Sequence, residues 1–146
     1  MRSFQKIITI TANPQRVWAA LTIPEQMKHW MAETDLDIKT NWQIGGPITV
    51  LGEAHHTYFE NKGRVLEYQP EHTLQYSHLS SLSGLPDKPG NYTLLEFRLT
   101  PRQAQTELTL TITNFPTESI YRHFAFYWNV SLEILKKQLE LAQESL

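Results

Sequence analysis

The sequence predicts an α+β fold in which a curved antiparallel sheet wraps around a long C-terminal helix. Three observations predict it. An alternating segment at 4–11 is followed at once by two proline-started helical segments, and the stretch from Thr34 to Thr113 alternates with period two and shows no helical period. After Thr117 the apolar residues recur every three or four positions to the end.

Phe4, Ile8 and Ile10 fall on one side of the first segment and Gln5, Ile7, Thr9 and Thr11 on the other, with the β-branched content of a strand. Asn13-Pro14 joins a good N-cap to proline at the first helical position, and Val17, Trp18 and Leu21 follow at helical spacing, so a helix runs over about 14–21. Ile23-Pro24-Glu25 starts a second short helix, with Met27, Trp30 and Met31 as its apolar face.

Six further strands are expected at about 34–40, 47–53, 57–68, 72–79, 91–100 and 105–113. Gly45-Gly46-Pro47 and Asn61-Lys62-Gly63 mark tight turns or bulges, Gln69-Pro70-Glu71 marks a corner, and Ser83 to Asn91 is the longest loop. Leu95, Phe97 and Leu99 share one strand face, and Leu108, Leu110 and Ile112 alternate with threonines. Ile120, Phe124, Trp128, Leu132 or Ser131, Leu135 and Leu139 form the apolar stripe of the final helix.

With 146 residues the chain has the size of one domain, read here as a single unit over 1–146. Hydrophobic residues make up 40% and charged residues 19%, the balance of a globular protein rather than a disordered one. The net charge of -2 and the absence of a basic cluster argue against nucleic acid or an acidic membrane surface as partner. There is no cysteine, which rules out disulfides and thiolate chemistry. The N-terminal residues lack the apolar core of a signal peptide and no apolar run reaches the ~20 residues of a membrane span, so a cytoplasmic location without membrane insertion is expected. The glycosylation patterns at Asn91-Tyr92-Thr93 and Asn129-Val130-Ser131 are read as chance on the same ground.

Several residues in order carry a family resemblance. They are Ala12-Asn13-Pro14-Gln15-Arg16-Val17-Trp18, Leu21-Thr22-Ile23-Pro24-Glu25 and Trp30, then Gly45-Gly46, Gly63-Arg64-Val65-Leu66-Glu67, Pro70 and Leu74-Gln75-Tyr76. The strand Thr106-Glu107-Leu108-Thr109-Leu110-Thr111 and Trp128, Leu132 and Leu135 complete the set. Together they resemble the START-like (SRPBCC) superfamily, and within it the group named after the C-terminal domain of the Hsp90 ATPase activator. The resemblance spans nearly the whole chain and implies a helix-grip fold, with a seven-stranded sheet gripping the C-terminal helix and two small helices closing one end of a cavity. It implies no cofactor and transfers no catalytic residue, since the group has no invariant catalytic set.

Pockets for small apolar molecules are lined by aromatic side chains with a few polar groups among them. The cavity candidates are Trp30, Trp42, Tyr58, Tyr76, His78, Phe97, Phe124 and Trp128, against the plainer reading that such rings fill a core. Trp18 reads as core, because its short helix is stable only when docked. Tyr76 and His78 share a strand face with Leu74, which would place a phenol and an imidazole at the cavity. His29 and His123 each neighbour an aromatic residue and suit a cavity mouth or a helix surface. Adjacent His55 and His56 would point to opposite faces of a strand, and no third ligand lies at a metal-like spacing, so no metal is expected. Glu60 and Glu67 read as solvated strand positions, and Ser77, Ser80, Ser81 and Ser83 lie in no nucleophile elbow or phosphate loop.

Three functions follow, in order of expectation: noncatalytic binding of a small apolar or amphipathic molecule between sheet and helix, a cyclase- or hydrolase-like enzyme using a cavity histidine or carboxylate, and an interaction module for an Hsp90-type chaperone partner. The oligomeric state is not legible.

Overall fold

The computed structural model describes residues 2–32 and 34–144. The elements are β1 (Phe4–Ile10), α1 (Pro14–Thr22), α2 (Pro24–Met31), β2 (Asp37–Thr40), β3 (Pro47–Ala54), β4 (Thr57–Gln69), β5 (Thr73–Ser80), β6 (Thr93–Arg102), β7 (Gln105–Thr113) and α3 (Glu118–Glu144), with single 3-10 turns at Ser81–Ser83 and Pro89–Asn91. The seven strands form one antiparallel sheet in the order β1-β7-β6-β5-β4-β3-β2, the curved sheet of a helix-grip fold. Every neighbour in sequence pairs except at β1, which closes against β7 with Phe4 opposite Ile112 and Ile10 opposite Thr106.

Helix starts follow the expected chemistry. Asn13 Oδ1 accepts from the Arg16 amide at 2.9 Å and Pro14 occupies the first turn of α1. Thr117 Oγ1 accepts from the Ile120 amide at 3.1 Å at the start of α3. With 27 residues, α3 is about 40 Å long and crosses the sheet. Its buried face is Phe124, Trp128, Ser131, Leu132 and Leu135, packed on Leu95, Phe97, Leu99, Leu108, Leu110 and Ile112.

Backbone groups left over at helix ends need partners. In α1 the Ala19 carbonyl accepts from the Ile23 amide, the Ala20 carbonyl from the Trp30 indole at 2.9 Å, and the Thr22 carbonyl from the Trp42 indole at 2.7 Å. In α2 the carbonyls of His29 and Met31 accept from the Gln138 amide, at 2.9 Å, and from the Tyr127 hydroxyl. Each short helix is thus terminated by side chains from elements that follow it. The far edge of α3 is fastened by charged groups. Lys6 reaches the Asn129 carbonyl at 3.1 Å, Lys136 reaches the Thr9 carbonyl at 2.7 Å, and Arg16 reaches the Leu139 carbonyl at 2.7 Å.

Three local expectations need refinement. Residues 34–36 precede β2 rather than belonging to it, and Asn61-Lys62-Gly63 is neither turn nor bulge but lies within β4. The register shift falls just beyond it, between Val65 and Glu67. Gly63 has a steric reason: a Cβ there would lie 1.7 Å from the Ser77 carbonyl oxygen of β5. His55 and His56 form the two-residue turn between β3 and β4 with φ of 51° and 66°, conformations usually filled by Asn and Gly.

Gly63→Ala should therefore lower stability by about 1–3 kcal/mol in urea unfolding, because β5 backbone must move to admit the methyl group. Gly90→Ala, where a Cβ meets nothing within 4 Å, should change it by less than about 0.5 kcal/mol. Equal effects at the two positions would contradict the close approach of β4 and β5.

Candidate functional site

The aromatic residues of the sheet and helices form a ladder of touching rings. From Trp18 it runs to Tyr68 (5.4 Å between centroids), Trp42 (5.7 Å), Tyr76 (6.4 Å), Phe97 (6.1 Å), Trp128 (5.7 Å) and Trp30 (6.0 Å). Five of the expected cavity residues, Trp30, Trp42, Tyr76, Phe97 and Trp128, are members of this ladder. Two more, His78 on β5 and Phe124 on α3, are in edge contact at 5.0 Å. Tyr58 is not brought to them. It is 66% exposed beside the β3–β4 turn, since strand alternation turns Phe59 rather than Tyr58 toward the core.

An open space lies on the other flank of α3. There the C-terminal turn of α2 and the segment after it face α3 across an open groove of about 1010 Å³. Trp30, Met31, Ala32, Tyr127 and Ser131 line its helix-to-helix side, and Phe126, Val130 and Ile134 form an apolar wall. That wall is 74%, 45% and 36% exposed, in the same order. Lys28, His29, Thr34, Asp35, His123 and Gln138 supply the polar lining. The groove exists because α2 and α3 are pinned by Tyr127 at Met31 and by Gln138 at His29, while the α3 residues between the pins, Val130, Ser131 and Ile134, are left facing open space.

Two expectations for histidines meet here. His29 and His123 both line the groove. His123 also acts on His78, whose pKa it lowers, and its ring stands 6.1 Å from that of Phe124.

The electrostatics of the inner wall favour neutral groups. Burial lowers the pKa of His78 to about 4, a hydrogen bond to its own backbone opposes this, and His123 lowers it further. Burial raises the Tyr76 phenol, with Tyr127 adding to the shift, and pushes Tyr127 up to about 12. At the rim, Lys28 is held above its ordinary pKa by Glu25, at 3.3 Å, and by Asp35, at 3.7 Å. At neutral pH the inner wall therefore carries two phenols and an imidazole without charge.

The acid–base pairing that an enzyme would need is not assembled at His78. Glu67 pairs with Gln75 on the convex face, whereas His78 alternates with it onto the concave face. Among the described residues no group of three His, Asp, Glu or Cys side chains could hold a metal ion. None of the described helices is long and apolar enough to cross a membrane.

Sequence reasoning missed the groove wall. Phe126, Val130 and Ile134 recur at intervals of four, a stripe displaced from the one centred on Phe124 and Trp128, and this second helical stripe was the available signal. Lys6 was missed because it occupies an inward position of β1, which its charge disguises.

A curved seven-stranded sheet around a long helix, with two short helices after the first strand, defines a helix-grip domain of the START-like class. More particularly, the family model described as Activator of Hsp90 ATPase homolog 1-like protein matches residues 11–140, and the chain belongs to that family. The solution structure of ChR145 from Cytophaga hutchinsonii is 36% identical, with TM-score 0.81 over 99% of this chain and 97% of that one. The Aha1 dimer from Colwellia psychrerythraea is 24% identical, with TM-score 0.75 over 96% and 97% of the two chains. CalU16 from Micromonospora echinospora is 21% identical, with TM-score 0.70 over 99% of this chain and 80% of that one. The latter two likenesses concern the fold alone. No curated protein matches the sequence.

The His78 shift has a testable sign. Its folded pKa of about 4 lies below the ordinary 6.5, so the unfolded chain binds the extra proton between these values. Stability is full above about pH 6.5 and falls, by up to about 3 kcal/mol, as pH drops toward 4. Urea midpoints across this window should fall less steeply in His78→Gln than in the parent chain, and parallel profiles would contradict the lowered pKa of His78.

Proposed function

We propose that this chain binds a small amphipathic molecule in the groove between α2 and α3. The observation that carries the reading is the wall of Phe126, Val130 and Ile134 on α3, left open to water, with Tyr127 and Ser131 beside it and Trp30, Met31 and Ala32 across the groove. An apolar surface beside a few polar groups is the usual makeup of a small-molecule site, and a roughly 300–1,000 Å³ space is typical of one. The expected ligand position thus shifts from the sheet–helix interior, where the rings of Tyr76, Phe97 and Trp128 touch, to the flank of the same helix.

A second reading is favoured by the exposure of Phe126 and by the stripe's continuation to Leu141, 63% exposed: the same wall joins two copies of the chain. The Colwellia relative is described as a dimer. In this reading the chaperone-type interaction and the enzyme reading both rank lower, because neither has an assembled group of residues to support it.

Native mass spectrometry of protein purified from its own host should show a retained small molecule that is absent from Val130→Glu. Retention unchanged by Val130→Glu would count against the groove. Light scattering separates the second reading, since a dimer that dissociates in Phe126→Glu supports association through this wall, and a monomer at every concentration removes it.

A further inference from the structure

We infer that the groove takes a straight-chain amphipath, whose apolar run of about ten carbons lies along α3. This rests on the ligand-binding reading above and specifies the shape of what is bound. His123, Phe126, Val130, Ile134 and Gln138 follow one another on α3 at steps of three or four, so they stand in one row along the helix, and all five line the groove. The row is polar at both ends and apolar between them.

Its dimensions set the length of the occupant. Phe126 and Ile134 are eight residues apart, so the apolar wall runs for about 12 Å along the helix. A staggered hydrocarbon with C–C bonds of about 1.5 Å advances roughly 1.25 Å per carbon, which matches the wall to about ten carbons. Gln138 closes the row, its amide bound to the His29 carbonyl at 2.9 Å, and Leu141, the next apolar residue on this side, lies outside the groove lining.

The groove is extended in one direction. Tyr127 at Met31 and Gln138 at His29 tie α2 to α3, and helices in packing contact lie only about 8–10 Å apart, so Trp30, Met31 and Ala32 bound the space from across. Room continues along α3 and is limited across it. An unbranched chain brings each methylene group against the row, whereas a compact ring system of equal carbon number covers only part of it. Lys28 is paired with Glu25 at 3.3 Å and Asp35 at 3.7 Å, and the wall itself carries no charge. A polar head therefore belongs at an end of the row, beside His123 or Gln138, since over Val130 it would lose water without gaining a partner.

The test is a ladder of straight alcohols, 1-hexanol, 1-octanol, 1-decanol and 1-dodecanol, each below its solubility limit and followed by tryptophan fluorescence, because Trp30 lines the groove. Full burial of a methylene group strengthens binding about fourfold, and a groove open on one side is expected to give about twofold per carbon. Affinity should therefore rise about tenfold to twentyfold from 1-hexanol to 1-decanol and then level off, with less than about a twofold gain at 1-dodecanol. Ile134→Asn shortens the wall to about 6 Å and should bring the plateau back to about six carbons, leaving 1-hexanol unchanged. A rise that continues undiminished to 1-dodecanol, a ladder that is flat from 1-hexanol, or the same plateau in folded Ile134→Asn overturns the inference. The ladder on the unaltered protein decides the matter if the variant fails to fold. Binding of no alcohol also overturns it, while the groove reading stands or falls separately on a molecule retained by the parent chain and lost from Val130→Glu.

Discussion

The indole of Trp128 lies between Phe97 of the sheet and Trp30 of α2, with ring centres 5.7 and 6.0 Å away. This wedge sets the depth at which α3 crosses the sheet and ties the small helices to the same point. Trp30 then donates its indole hydrogen to the end of α1, so one chain of contacts runs from the sheet through α3 and α2 into α1. Helices as short as α1 and α2 are marginal alone, and their order depends on this docking. Aromatic pairs in tilted or edge-on contact add roughly 0.5–1.5 kcal/mol each beyond their buried area, which makes a ladder of such pairs a major share of a domain's net stability.

The same wedge determines where open space remains. Large rings meet between the sheet and the middle of α3, and the open groove lies at the flank of the helix. At the flank, Tyr127 and Gln138 hold α3 to the last turn of α2, and the apolar wall between them stays exposed. At the sheet end, Asn61 Oδ1 is buried without a hydrogen-bond partner, and His78 packs edge-on against Phe124. His123 belongs to both regions, lining the groove and lowering the pKa of His78.

Much of this architecture was legible in the sequence because its signals are local. Asn13-Pro14 caps α1 as its chemistry requires, and period-two alternation located six strands to within about three residues. Phe124, Trp128, Leu132 and Leu135 declared the buried face of α3 through their spacing. The candidate site was less legible, since it depends on contacts between distant segments. Nothing near Trp42 in sequence announces that its indole terminates α1, and alternation alone gave Tyr58 no assigned face until pairing with β3 fixed it. Gly63 looked like a turn residue because the crowding that requires glycine comes from Ser77, on the next strand. The unpartnered oxygen of Asn61 is likewise invisible until the sheet is assembled.

The central claim is the proposal that the groove between α2 and α3, along the wall of Phe126, Val130 and Ile134, is where this protein meets its ligand. Amide chemical-shift mapping during titration with 1-decanol tests it most directly. The account predicts that the largest shifts fall at Met31, Ala32, His123, Tyr127 and Val130, while the loop over 81–92 stays still. Shifts concentrated in that loop, with none on α2 or α3, would contradict it.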